Sequence, residues 1–288
     1  MASPKSLLNA WHVHAKKNLG QHFLTDPSIS KRIAHAAGIA SDDVVMEIGP
    51  GLGALTIPVS KKAHRVITVE KDIRLIPILK DVLSDRSIRN VEVIQKNVLQ
   101  MDLNRLGEDL GRQIIVVGNL PYHLSSQILI YLIRSRAAVK KSVLMFQKEL
   151  ASRITASPGN RAYGRLSVLL QYCARIKRIM RVDASQFFPT PKVDSEVLHI
   201  EFHGKEQCSD DEEALLFEVV KAAFGKRRKT LKNALSQSAL GIDAKTASDI
   251  LFKTGIDPTR RAETLTVDEY VLLTKRLKAV ILEGSSPM

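Results

Sequence analysis

IIVVGNLPYHLS, residues 114–125, joins an apolar β-type run, Ile114 to Val117, to Gly118 and then to Asn119, Leu120, Pro121 and Tyr122. The run predicts a buried strand, with a polar amide, a rigid proline and an aromatic ring at its carboxyl end. Open α/β sheets bind ligands outside the carboxyl ends of their strands. Alone, the stretch has two readings: a strand followed by a proline turn with Tyr122 half packed, or a ligand site. The flanking sequence separates them.

Upstream, strands are predicted at 44–49, 65–70 and 91–95, and downstream at 141–147. Helical stretches fall between them: 27–37 behind Asp26 and Pro27, 54–62, 72–83, 125–134 and 149–156. Pro58 and Pro77 are tolerable in their helices only within a first turn. Strand–helix alternation with continuous apolar strands is the pattern of a parallel sheet covered on both faces. A helix over 165–172 follows, and then 176–182 and 193–202, which alternate and suit an antiparallel pair. At 203–213, HGKEQCSDDEE, the composition turns charged, and helices are predicted at 212–224, 229–240, 244–253 and 267–282. The expected domains are 1–204 and 205–288.

The composition restricts the function classes. The chain of 288 residues carries a net charge of +13, which points to polyanionic partners, nucleic acid first. Cys173 and Cys208 stand far apart, outside any Cys or His cluster, so neither a metal site nor a disulfide framework is expected. That usage fits a cytoplasmic protein. No apolar run is long enough for a membrane span, so no membrane partner is expected. Residues 1–17 mix Lys5, Lys16 and Lys17 with Trp11, a composition suited either to a phosphate-binding arm or to a disordered tail.

Glu47-Ile48-Gly49-Pro50-Gly51-Leu52-Gly53 is a glycine turn between a strand and a helix. Glu70 ends the next strand about twenty residues on, where an acid receives a ribose in nucleotide-binding units. The spacing is G-x-G-x-G, so the dinucleotide fingerprint is incomplete. With the glycine turn present, the 114–125 stretch reads as a site.

The turn with Glu70 resembles the S-adenosylmethionine site of Rossmann-like methyltransferases, in which Gly49 and Gly51 face the cofactor and Glu70 takes its ribose hydroxyls. Asn119-Leu120-Pro121-Tyr122 resembles the motif of amino-methyltransferases that act on adenine or cytosine. An exocyclic amine is a poor nucleophile because its lone pair is delocalised into the ring. The Asn119 side-chain oxygen and the Leu120 carbonyl are the expected acceptors for its N–H groups. Pro121 stiffens the turn, and Tyr122 would stack on an extruded base. In Phe187-Phe188-Pro189-Thr190-Pro191-Lys192-Val193-Asp194-Ser195 two prolines stiffen a loop. Phe187 is expected to form the opposite wall of the base site and Phe188 to lie in the core.

Over nearly its whole length the chain resembles the KsgA-type small-subunit (16S) ribosomal RNA adenine dimethyltransferases. The matching motifs are NLGQHFL at 18–24, EIGPGLGALT at 47–56, NLPY at 119–122, YGRLSV at 163–168, FFPTPKVDS at 187–195 and GKRRKTLKNAL at 225–235. The resemblance implies a Rossmann-like catalytic domain followed by a small all-helical domain. It implies dimethylation of the N6 amines of two adjacent adenosines near the 3′ end of small-subunit rRNA, on an immature subunit, by a monomer. It also implies cofactor contacts at His22, Leu24, Gly49, Glu70, Asn97 and Asn119. His22 stands where many members have Asn, and Asn97 where many have Asp; both still hydrogen-bond, so cofactor binding is expected to survive. Lys226, Arg227, Arg228, Lys229 and Lys232, with Arg260 and Arg261, are expected to meet RNA phosphates. Two alternatives share the motifs: a large-subunit rRNA adenine methyltransferase of the erythromycin-resistance type, and a non-catalytic RNA-binding factor on the same fold. The KRRKTLKNAL segment fits the small-subunit family better than the first, and the intact glycine turn, Glu70 and NLPY speak against the second.

Overall fold

The computed structural model describes residues 3–16, 19–203, 208–226 and 228–284. The expectations placed on Lys17, Asn18, Arg227 and the boundary residues 204–207 lie outside them.

The chain divides into two compact units, Met1–Ala151 with Ala174–His203, and Ser152–Cys173 with Gly204–Met288. The expected division at 204 is therefore only one of the crossings, because residues 152–173 join the second unit. The reason is tertiary. The helix α8 (Arg165–Cys173) buries Val168, Leu169, Leu170 and Tyr172, and it packs on helices that come later in the chain.

In the first unit, α1 (Pro4–Ala10) and β1 (Phe23–Leu24) precede α2 (Pro27–Ala36), β2 (Val44–Ile48), α3 (Thr56–Ser60), β3 (Arg65–Glu70), α4 (Leu75–Ser84) and β4 (Val91–Gln95). Then come α5 (Leu103–Leu110), β5 (Ile114–Asn119), α6 (Ser125–Arg134), β6 (Val139–Gln147), α7 (Lys148–Ile154), whose last turn belongs to the second unit, and then β7 (Ala174–Val182), β8 (Phe187–Phe188) and β9 (Ser195–Phe202). The main sheet has the order β4-β3-β2-β5-β6-β9-β7. Its first five strands are parallel, and β9 runs antiparallel between β6 and β7. From β2 the chain steps outward to β3 and β4 and then returns to place β5 on the other side of β2. The switch point therefore lies between the carboxyl ends of β2 and β5, where such sheets bind ligands.

Sequence chemistry explains most of these elements. Ile114, Ile115, Val116 and Val117 are fully buried, and burial of each such side chain contributes about 1.5–3 kcal/mol. Pro58 and Pro77 both sit at the third residue of their helices, where no intrahelical N–H bond is lost. Asp26 caps α2 through Ser28 N–H at 2.7 Å. The helix α5 was not predicted, although its signals are present: Asp102 accepts from Arg105 N–H at 3.1 Å, and Gly111 ends the helix in the left-handed region. The exposed edge β7 carries Arg175, Lys177, Arg178 and Arg181, and such charges discourage edge-to-edge association.

Among the described residues, the N-terminal stretch is not a disordered tail, since residues 4–10 form α1. Ser3 caps α1, and Leu8 is buried beside Phe23, Leu52, Leu75 and Ile78.

The second unit adds α9 (Asp210–Phe224), α10 (Leu231–Ser236), α11 (Ala244–Lys253) and α12 (Val267–Gly284) to α8. The helix α10 is shorter than the expected 229–240. Ser209 and Glu212 form a capping box on α9, and Asp243 caps α11. Thr266 and Glu269 exchange the same pair of bonds at the start of α12. Phe224 lies between Tyr163 and Tyr270, with ring centroids 6.4 and 6.1 Å away. No helix among the described residues is long and apolar enough to cross a membrane.

Candidate active site

A cavity occupies the switch point, and all seven residues expected at the cofactor line it: His22, Leu24, Gly49, Gly51, Glu70, Asn97 and Asn119. Two glycines make this closeness possible. A Cβ on Gly118 would stand 2.8 Å from the Ile48 carbonyl oxygen, so only glycine lets the ends of β2 and β5 approach. Gly51 has φ +55°, and a Cβ there would press on the Phe23 ring at 3.0 Å. The cradle is thus shaped by bare backbone.

Glu70 is buried at the end of β3. Its carboxylate accepts from Gly51 N–H at 3.2 Å and from Asp72 N–H at 2.8 Å. Burial raises its pKa, and those two backbone bonds work against the rise. Each carboxylate oxygen keeps a lone pair for a diol. At the end of β4, the Asn97 oxygen accepts from Leu99 N–H at 3.2 Å and caps a 3-10 turn at Val98–Gln100. The side-chain oxygen of this expected cofactor contact is thus already oriented by the backbone.

Glu47 is a site residue that the motif contained but that was assigned no role. It lines the cavity, it is 1% exposed, and its Oε2 has no partner. Burial pushes its carboxyl up to about 8, Thr56 pulls it down in part, and the Glu70 charge adds to the rise. An orphaned polar oxygen beside a glycine cradle and a buried acceptor fits a polar nucleoside cofactor of the S-adenosylmethionine kind. A carboxyl that keeps its proton in the folded state up to about 8, but loses it near the ordinary 4.5 when exposed, makes stability fall as pH rises through that window. Glu47→Gln should flatten this dependence and leave the variant more stable than the parent at pH 8, by at most a few kcal/mol. Urea unfolding at pH 5, 6.5 and 8 checks it; parallel curves for the two proteins would remove Glu47 as the source.

The NLPY turn is held by two long-range side-chain hydrogen bonds and one ring stack. Asn119 Nδ2 donates to the His22 carbonyl at 2.8 Å, which leaves Oδ1 as the open acceptor of the amide. Tyr122 shares a hydrogen bond with Ser195 Oγ at 2.9 Å, and its ring stacks on His22 with centroids 5.4 Å apart and planes 25° apart. The His22 Nδ1 lies 2.6 Å from the Pro189 carbonyl oxygen; a carbonyl only accepts, so Nδ1 carries the hydrogen. Pro121 lines the cavity, whereas the Leu120 side chain is buried at 1% exposure. Leu120 can therefore contribute only through its backbone.

The 19–24 segment is pinned as well. Gln21 Nε2 donates to Asp72 Oδ2 at 2.8 Å, and Arg74 holds the same carboxylate through Nε at 2.9 Å and Nη2 at 2.6 Å. The Arg74 hydrogen bond is the main reason that the Asp72 carboxyl lies at about 2. Pro4 and Leu7 of α1 also line the cavity; nothing in their local sequence announced that role.

Three expectations need correction. Phe187 cannot be the second wall of a base site, because it is 2% exposed in the core with Leu24, Val182 and Val197. Phe188, expected in the core, is only half-buried and packs toward Phe23. The cause is the pairing of β1 with β8, which sets Leu24 opposite Phe187 and Phe23 opposite Phe188; adjacent strand residues face opposite sides. Arg260, added to the phosphate cluster, is instead ion-paired with Glu269 and bonded to Thr264. Lys226, Arg228, Lys229 and Arg261 are exposed and Lys232 is half-buried; Lys226 donates to Gln237 Oε1 at 2.7 Å.

Fold and site together define a class, the Rossmann-like S-adenosylmethionine-dependent methyltransferases. Comparison with known proteins narrows it. The family described as ribosomal RNA adenine dimethylase matches residues 12–279. A ribosomal RNA small subunit methyltransferase A from Desulforapulum autotrophicum is 51% identical over 277 residues, spanning 96% of this chain and 97% of that protein. Its counterpart from Alkaliphilus metalliredigens is 41% identical over 277 residues, 96% of each chain. The crystal structure of a dimethyladenosine transferase from Plasmodium falciparum superposes with a TM-score of 0.78 at 26% identity, covering 90% of this chain and 98% of that one. The 23S rRNA methyltransferase ErmE, at 23% identity and a TM-score of 0.70 over 89% of this chain and 99% of that one, shares the fold. The chain belongs to the ribosomal RNA adenine dimethylase family.

Proposed function

We propose that the protein dimethylates the N6 amines of two adjacent adenosines near the 3′ end of small-subunit rRNA, acting in the cytoplasm as a monomer on an immature subunit. The observation that carries this reading is the fixed amide of Asn119. With Nδ2 committed to the His22 carbonyl, Oδ1 can only accept, which suits an amine that must turn its lone pair out of the ring. When bound, S-adenosylmethionine supplies an electrophilic methyl group on a sulfonium. Asn119 Oδ1 and the Leu120 carbonyl hold the two N–H groups of the amine, and Tyr122, braced by His22 and Ser195, presents the ring against which the base stacks. No strong base is required before attack, because the proton leaves to water once the nitrogen is substituted. Positioning and exclusion of water then supply the rate enhancement.

Lys226, Arg228, Lys229 and Lys232 bind RNA phosphates, contacts that position the RNA. The reading is tested with purified protein, labelled S-adenosylmethionine, and three substrates: immature small subunits, free rRNA and large subunits. Dimethyladenosine at two adjacent positions of the small-subunit rRNA is the expected product; label confined to large subunits, or absent from all three, would overturn it. In the same assay, Lys226, Arg228 and Lys229 changed together to alanine should weaken RNA binding and reduce its salt slope by roughly 0.7–0.9 per lost contact.

A further inference from the structure

A second cavity, of about 530 Å³, opens on the first unit between α2 and α3. Its apolar surface comes from Leu24, Pro27, Ala34, Ala54, Ile57 and Pro58. Lys31, Lys61, Lys62 and Arg86 also line it, and no carboxylate does. All four cations are exposed, and among the described residues none forms an ion pair. Arg86 Nη1 donates to the Val82 carbonyl at 2.9 Å, which holds that guanidinium in place. Ser30, also in the lining, is 2% exposed and its hydroxyl has no partner.

The volume lies within the roughly 300–1,000 Å³ of small-ligand sites. An apolar interior wants a flat, weakly polar ring, and the unpartnered hydroxyl can give or take one hydrogen bond with its edge. Four uncompensated cations want more than one anionic group. A nucleotide within an RNA strand meets both demands, since its base fills the cavity while phosphates on either side reach the lysines; single-stranded RNA is read by such splayed-out bases. The net charge of +13 favours the same polyanion. Leu24 and Ala54 line this cavity and the cofactor cavity alike, so the two sites share a wall. We infer that the cavity between α2 and α3 holds an unpaired nucleotide of the RNA substrate, distinct from the adenosines that are methylated. The inference rests on the proposed rRNA substrate.

Two variants and one wild-type experiment test it. Ile57 is half-buried at the cavity, and Ile57→Trp fills it without touching charge. This variant should bind small-subunit rRNA several-fold more weakly with an unchanged salt slope. Lys31, Lys61 and Lys62 changed together to alanine should lower the slope by roughly 2–3. Calorimetric affinity for S-adenosylmethionine should be the same in both variants as in the parent, which also reports that they fold. In the wild-type protein, ultraviolet cross-linking to the rRNA followed by mass spectrometry should leave nucleotide adducts on peptides covering 24–34 or 54–62. Wild-type RNA affinity in Ile57→Trp, or the absence of adducts from both peptides, would overturn the inference, as would AMP alone giving the same adducts as the RNA. If the wild-type protein methylates the rRNA and the variants bind it unchanged, only this inference fails; if the wild-type protein does not methylate it, the proposed function fails.

Discussion

Asn119→Ala is expected to slow single-turnover methyl transfer by about 100- to 1,000-fold, the range seen when one preorganised polar group at a reacting centre is removed. The amide combines two tasks. Its Nδ2 is fixed on the His22 carbonyl, and its Oδ1 is left to receive the amine. Alanine removes both, and no neighbouring side chain replaces the acceptor, because Pro121 has none and Leu120 is buried. Affinity for rRNA should change little, since phosphate contacts dominate it. Asn119→Asp keeps an acceptor but sets a second oxygen against the His22 carbonyl, so it should fall between alanine and the parent. A wild-type single-turnover rate in Asn119→Ala would remove the residue from the reaction.

Glu70→Ala should weaken S-adenosylmethionine binding on the order of 100-fold, because each hydrogen bond to a charged group contributes about 1.5–3 kcal/mol. Part of the loss would arise within the protein itself, since Gly51 N–H and Asp72 N–H both depend on this carboxylate. A cofactor analogue lacking the ribose hydroxyls separates the two contributions. If Glu70 takes the ribose, the analogue should bind the parent and the variant with affinities closer to one another than S-adenosylmethionine does. Equal losses for both ligands by calorimetry would confine Glu70 to shaping the glycine turn.

Much of this site is legible in the chain because its parts are local. The β5 run and the turn that ends it occupy consecutive residues, as do the glycine cradle and the strand that feeds it. Glu70 lies one strand–helix–strand unit on, at the spacing that the fold imposes. Single-sequence cues also locate Asp26 as a cap, since its side chain bonds to Ser28 two positions on. Glu47 shows where such cues stop. Its place in the motif is visible, but its orphaned oxygen and raised pKa depend on how completely β2 is covered, which no neighbouring residue states.

The sequence alone determined the alternation of strands and helices, the glycine turn, the acid after β3 and the amide-proline-aromatic turn after β5, because propensity and periodicity act over a few residues. Only the tertiary structure decided which of two adjacent phenylalanines is core. Pairing of β1 with β8 buries Phe187 with Leu24 and leaves Phe188 beside Phe23, and a slip of one residue would reverse them. It likewise decided that residues 152–173 pack with later helices, that Leu8 of the N-terminal helix is buried, and that His22 braces Tyr122. These outcomes depend on partners tens to more than a hundred residues away, whose register is set by the burial of many side chains at once.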